Sequence, residues 1–260
     1  IKIKANPGYY KQWAKCRNLS FEQIKEKIGA GLPYVLRLKS QGDEDKKIEI
    51  KDKVKGKTVL PENVTDIVLL KNDGVPTYHF AHAVDDYLMR TTTVIRGDEW
   101  LSSLPIHIQL FSYCGFKIPN YAHIAPIMKE DNGSKRKLSK RLDPEASVDY
   151  YIESGYPSEA VIEYLYRIIN SNFEQWRQTT KEDRANFKFS CGKMSKSGAL
   201  FDLKKLNEVS RNFIANMTTD NTVEAILKWS ENFDHDFFDV LNKDLEYTKN
   251  IFSIDREKKN

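Results

Sequence analysis

Apolar positions change their spacing near residue 76 and again near residue 142, and these two changes divide the chain. Before residue 76, short alternating runs dominate. NLSFEQIKEKIGAG (18–31) reads as a short helix, with Ser20 as N-cap, Gln23 completing a capping box and Gly29 at its end. PYVLRLK (33–39) alternates like a strand, QGDEDKK (41–47) is a charged turn, and IEIKDKVKG (48–56) is a further strand region. DIVLLKNDG (66–74) reads as a strand closed by an Asp-Gly turn. From residue 76, a β-branched strand, TTTVIRG (91–97), leads into EWLSSLPIHIQLFSYCG (99–115). There Leu104, Ile108 and Phe111 recur at helical spacing and Gly115 stops the helix. YAHIAPIM (121–128) reads as a second strand. Strand, helix and strand at this spacing predict a βαβ unit with a parallel pair and a right-handed crossover. After residue 142 strand signals largely stop. Helices are predicted for SVDYYIES (147–154), YPSEAVIEYLYRIIN (156–170) with Pro157 at its start, and FDLKKLNEVSRNFIANM (201–217) capped by Asp202. TVEAILKWSENF (222–233) and FFDVLNKDLEYTKNIF (237–252) complete the helical series.

Two lysine loops stand out against this pattern. KRKLSKR (135–141) and GKMSKSG (192–198) both contain Lys-hydrophobe-Ser-Lys, and two ammonium groups on flexible stems can grip a polyphosphate. In open parallel sheets ligands sit beyond the carboxyl ends of strands. Residues 96–100 and 127–141 fall there, which favours KLSKR, preceded by the polar, flexible stretch KEDNGSKR (129–136). GKMSKSG lies between helical segments, is expected far from any parallel strand end, and is expected to run straight into a helix. It is not a Walker loop, because the spaced glycine is missing.

Composition adds limits rather than a function. An apolar fraction of 40% with 13 Phe, 13 Tyr and 4 Trp can build a core in 260 residues. No apolar run is long enough to span a membrane, and the first residues have no hydrophobic signal core. Cys16, Cys114 and Cys191 are scattered and form no metal-spaced pair, so a reducing cytoplasmic setting is expected. A net charge of +4 permits nucleic-acid binding without indicating it.

Taken in order, CRNLS (16–20), PYVLRLK, GVPTYHFAHAVDDYLM (74–89), VIRGDEWLSSLPIHIQLF (94–111), YAHIAPIM, KLSKR, DPEASVDYYIESGYPSEAVIEYL (143–165) and KMSKSGALFDLKKLN (193–207) resemble the bacterial glutamyl-tRNA synthetases, class I aminoacyl-tRNA synthetases. The resemblance covers nearly the whole chain. It implies an α/β fold: the second half of a Rossmann-type parallel sheet, an α+β acceptor-end-binding insertion before it, and an all-helical stem-contact region after it. The corresponding divisions are 1–75, 76–141 and 142–225, with the start of a helical anticodon-binding region at 226–260. The implied activity is ATP-dependent activation of L-glutamate, with Mg²⁺, and its transfer to the 3′ end of tRNA(Glu).

The resemblance also implies site residues. Lys137 and Lys140 would hold the triphosphate and stabilise charge as pyrophosphate leaves, with Ser139 beside them. Glu99 and Trp100 would lie near the ATP ribose and base, and the backbone of Ile127 and Met128 near the adenine. Arg96 would pair with a carboxylate of glutamate, while Tyr78 and His82 would line the amino-acid pocket. His82 stands where the family commonly has Asn. Asp85 and Asp86 are expected to fix local structure or touch the tRNA end, since a carboxylate attacking phosphorus needs no general acid. The literal KMSKS at 193–197 becomes a decoy. No protein-bound zinc is expected, because Cys16 is the only cysteine of the N-terminal region. None of the five histidines forms the HxGH signature, so the first half of the sheet is expected to precede Ile1, and the isolated chain is expected to be inactive. A non-catalytic tRNA-binding module is the alternative from another class.

Overall fold

A computed structural model describes residues 8–180 and 182–254. Its backbone falls into two compact units, Ile1–Ile124 and Ala125–Asn260.

In the first unit, α1 (Phe21–Gly29) carries the predicted capping box, Ser20 and Gln23 each bonding the other's backbone N–H. The left-handed residue that closes its end is Gly31, not Gly29. β1 (Leu36–Arg37) is much shorter than its alternating sequence suggests. A register shift between Leu36 and Arg37 interrupts its pairing with β4 (Val68–Leu70). Between them β2 (Lys47–Asp52) and β3 (Gly56–Pro61) form an antiparallel hairpin whose second strand had no counterpart in the sequence reading. The Asp-Gly turn after β4 is present, with Gly74 left-handed.

Next comes α2 (Tyr78–Leu88), then β5 (Thr93–Gly97), a 3-10 segment Asp98–Ser103, α3 (Leu104–Tyr113) and β6 (Asn120–Ile124). Strands β5 and β6 pair in parallel, from Thr93 opposite Asn120 to Gly97 opposite Ile124, so the predicted βαβ unit is present. Pro105 sits in the first turn of α3, where its missing N–H costs nothing. Leu38, Ala83, Leu110 and Phe111 form the buried core joining α2 and α3 to the chain after β1, with Ile67, Phe80 and Phe116 packed around it.

The expected strand 121–128 is broken: β6 ends at Ile124, the last residue of the first unit, and β7 (Met128–Asp131) starts anew in the second unit after Pro126. Proline cannot donate a ladder bond, which explains the interruption. The expected flexible stretch 129–136 is instead a hairpin. β7 pairs antiparallel with β8 (Ser134–Lys137) across Asn132 and Gly133, both with positive φ. Helices α4 (Val148–Glu153), α5 (Ser158–Ile169), α6 (Phe173–Thr179), α7 (Leu203–Ala215) and α8 (Thr219–Phe233) follow. Pro157 precedes α5 and the Asp202 carboxylate caps α7 through Lys204 N and Lys205 N, both as expected. The single helix expected at 237–252 is two, α9 (His235–Lys243) and α10 (Leu245–Ser253). Asp244 leaves the helical backbone and caps α10 through Tyr247 N. Ala160, Tyr164, Phe201, Leu206 and Val209 are the buried centre where α5 meets α7.

Candidate active site

Arg96 is the last residue but one of β5, followed by Gly97, over which the Glu99 carboxylate folds back. The Arg96 Nε donates to His123 Nε2 at 3.0 Å. Both terminal nitrogens are buried and have no hydrogen-bond partner. A guanidinium fork held out of water in this way lacks an acceptor pair, and a carboxylate supplies one. The walls are aromatic. The guanidinium lies 5.1 Å from the Tyr121 ring centroid and 6.0 Å from that of Trp100. Trp100 in turn lies 4.4 Å from Tyr78, which is half-exposed and stacks on His82 at 5.9 Å.

Four histidines surround this fork. His82 is buried between Asp86, with Nδ1 2.6 Å from its carboxylate, and the Tyr121 hydroxyl, 3.2 Å from Nε2. His79 Nδ1 meets His107 Nε2 at 2.9 Å. Burial, reinforced by the Arg96 charge, lowers the pKa of His79, His82, His107 and His123, that of His107 to about 2. These rings are therefore neutral near pH 7 and leave the arginine's charge unopposed by further cations. Asp86 fixes local structure, as the sequence reading allowed for the Asp85–Asp86 pair.

In the second unit, Lys137 closes β8, while Ser139 and Lys140 sit in the turn that follows. Both lysines are exposed. A buried carboxylate organises the turn. Asp143 accepts from Arg136 Nη1 at 2.6 Å and Nη2 at 2.8 Å, from Lys129 Nζ at 3.0 Å and from Ser139 N at 2.8 Å. The Arg136 guanidinium, helped by Ser139 N and Lys129, holds the Asp143 carboxyl well below the usual range despite burial. Lys129 also pairs with Glu145, and Arg136 Nε with Asp131 at 2.7 Å. Lys129 and Arg136 thus have acidic partners, and Lys137 and Lys140 lie at the exposed surface of a braced turn.

Ile127 and Met128 lie beneath this turn. Ile127 O accepts from Leu138 N, Met128 N donates to Ala199 O at 2.8 Å, and Met128 O accepts from Phe201 N at 2.7 Å. A base reaching this segment would meet main-chain groups that already have partners. The second lysine loop, expected to lie between helical segments and to run straight into a helix, is instead followed by residues that bond to β7. Leu200 pairs in parallel with Met128, and an extended stretch, not a helix start, follows the loop. Gly198, at φ +95°, makes this approach possible, since a β-carbon there would sit 2.5 Å from Pro126 O. The sequence reading named neither Asp143 nor His123 as functional. An aspartate two residues after KLSKR and a histidine inside a strand carry no local signal.

Residues 2–208 match the family described as "tRNA synthetases class I (E and Q), catalytic domain". A glutamate–tRNA ligase of Clostridium beijerinckii is 53% identical over 258 residues, covering 99% of this chain and 47% of that protein. One of Sorangium cellulosum is 42% identical over 271 residues, 98% of this chain and 48% of that protein. A crystal structure of a glutamate tRNA ligase from Elizabethkingia meningosepticum, in complex with its amino acid, superposes with a TM-score of 0.69 at 26% identity. It covers 96% of this chain and 54% of that one. The chain spans about half the length of the curated relatives it matches. On the family match alone, which takes in most of its residues and both the Arg96 pocket and the KLSKR turn, the chain belongs to the catalytic-domain family of the class I tRNA synthetases for glutamate and glutamine.

Proposed function

We propose that this chain supplies the amino-acid and triphosphate sites of a glutamate–tRNA ligase, the reaction being that of the polypeptide at the length of its relatives. The observation that carries the reading is the Arg96 fork, buried, aromatic-walled and without an acceptor. Arg96 holds one carboxylate of L-glutamate, and Tyr78 and His82 line the same pocket. An oxygen of the α-carboxylate attacks the α-phosphorus of ATP, which enters as its magnesium complex. The bond to the β-phosphate oxygen breaks, and pyrophosphate leaves. Lys137 and Lys140 stabilise the charge that grows on the leaving group, and pre-placed cations of this kind lower a barrier by about 3–4 kcal/mol. The 3′-terminal ribose hydroxyl of tRNA(Glu) then attacks the adenylate carbonyl, releasing AMP.

Glu99 and Trp100 are assigned to the ribose and base, with Ser139 beside the phosphates and Ile127 and Met128 beneath the adenine. Residues 1–75 are assigned to the tRNA acceptor end, 142–225 to its stem, and 226–260 to the beginning of the anticodon-binding region. Among the described residues no helix is long and apolar enough to cross a membrane.

Glutamate-dependent ATP–pyrophosphate exchange in the presence of tRNA, measured on the polypeptide at the length of its relatives, tests the reading. Arg96→Ala is expected to raise the KM for glutamate about 100-fold while leaving that for ATP near its original value, as loss of a bidentate charged pair requires. Binding of tRNA without any glutamate-dependent exchange would favour the non-catalytic module instead.

A further inference from the structure

Asp52 ends β2 and is almost wholly buried, as is His123 in β6. The carboxylate accepts the backbone N–H of Val54 and Lys55, each at 2.8 Å, which tightens the turn into β3. Its other oxygen accepts from His123 twice, from the backbone N–H at 3.0 Å and from ring Nδ1 at 2.7 Å. The opposite ring nitrogen, Nε2, accepts from Arg96 Nε. A guanidinium has donors only, so Nε2 must be bare and the ring proton must sit on Nδ1, facing Asp52. Every bond in the line Asp52–His123–Arg96 then has one donor and one acceptor.

We infer that Asp52 and His123 are positioning residues for Arg96, fixing which edge of its guanidinium receives a carboxylate. The inference rests on the reading of Arg96 as the glutamate anchor. A guanidinium binds a carboxylate either along its Nε edge or end-on through its two terminal nitrogens. His123 occupies Nε, so only the end-on mode remains, and those are the two buried nitrogens that have no partner. The backbone bond from Lys53 N to Tyr121 O, at 2.8 Å, and the ion pair of Lys55 with Asp98, also at 2.8 Å, clasp the same hairpin to the pocket. The β2–β3 hairpin, assigned above to tRNA binding, thereby sets the geometry of the amino-acid site. The neutral ring suits the task, because burial lowers the His123 pKa even though Asp52 works to raise it.

Asp52→Asn is the discriminating change. Its oxygen can keep the bonds to Val54 and Lys55, but its amide replaces the oxygen that accepts from His123, so it forfeits the bond from the His123 backbone N–H and donates towards Nδ1. The ring proton then moves to Nε2 and faces the Arg96 Nε–H, donor against donor. The expected result in ATP–pyrophosphate exchange with tRNA is a glutamate KM raised about 10- to 100-fold, with kcat and the ATP KM within about twofold. His123→Gln places a carboxamide oxygen near the Nε2 position and is expected to lose less than Asp52→Asn. If Asp52→Asn fails to fold, this second variant is compared with His123→Leu, which has no acceptor. Nitrogen-15 spectra of His123 are expected to show the Nδ1-protonated tautomer in the wild type. A glutamate KM unchanged in every variant, or an Nε2-protonated wild-type ring, overturns the inference while leaving the proposed function intact. Absence of glutamate-dependent exchange in the wild-type polypeptide at the length of its relatives, the form in which all these variants are made, overturns both.

Discussion

Lys140 is an exposed ammonium on a turn whose backbone is held by a buried carboxylate, and in the proposed function that support is what pre-places it for a triphosphate. Lys196, in the literal KMSKS, is also exposed but sits in a loop whose own pairings go to Asn170 and Ser171, through Met194 and Lys193. Lys140→Ala is expected to slow glutamate activation by about two to three orders of magnitude, as loss of one pre-placed charge-stabilising donor does, with Lys196→Ala near wild type. Equal losses in pyrophosphate exchange would sink the assignment. At this scale the sequence is readable where a residue acts in its own segment. Arg96 follows a β-branched run and ends a strand, and KLSKR carries its lysines on its face. Asp52 and Asp143 escape such reading because their work is done through partners that only the fold brings near. Asp52 meets a histidine 71 positions on, and nothing in DKVKG points to it.

Among the elements, caps and periodicity read well, while strand ends and hairpins read badly. The capping box of α1, Pro157 before α5 and Asp202 before α7 are local devices that work wherever they occur. The Asn-Gly turn between β7 and β8 is equally local, but its flanks are lysine- and acid-rich instead of apolar, so it passes for a loop. Its strands are held by ion pairs and by Met128, not by a hydrophobic face. Asp244 divides α9 from α10 against a helical period that continues on both sides, since a cap can outweigh period over so short a reach. The element most exposed to a single change is the extended stretch after the second lysine loop. Gly198→Ala forces a side chain into a left-handed backbone and against Pro126 O, and is expected to destabilise the second unit by about 1–3 kcal/mol. Urea denaturation checks this; an unchanged midpoint would mean that the stretch does not brace β7.

Across the molecule the depressed histidines lie in the first unit, whereas depressed carboxyls, Asp52 among them, occur in both. In the first unit His79, His82, His107 and His123 all have pKa values lowered from 6.5. The unfolded chain takes up protons there as pH falls through 6.5 while the folded chain refuses them, so stability is full above that value and declines below it. In the second unit the depressed groups include Asp143 and Glu163, with usual values of 3.8 and 4.5. Their contribution is present above those values and is lost as pH falls through them. Hydrogen exchange followed from pH 7 to pH 4 is expected to show the first unit loosening first. Simultaneous loss only below pH 4 would contradict it. The Met128 bonds carry a consequence for synthesis. The segment beneath the triphosphate turn is completed by Ala199 and Phe201, far downstream, just as Arg96 is aligned by a pair whose members are widely separated in sequence. A growing chain that has emerged through Arg141 holds Lys137 and Lys140 and still lacks the extended stretch that pairs with Met128. Truncation between residues 141 and 199 is therefore expected to yield a protein with the full KLSKR motif and a loosened Met128 segment, which hydrogen exchange at Met128 N would report.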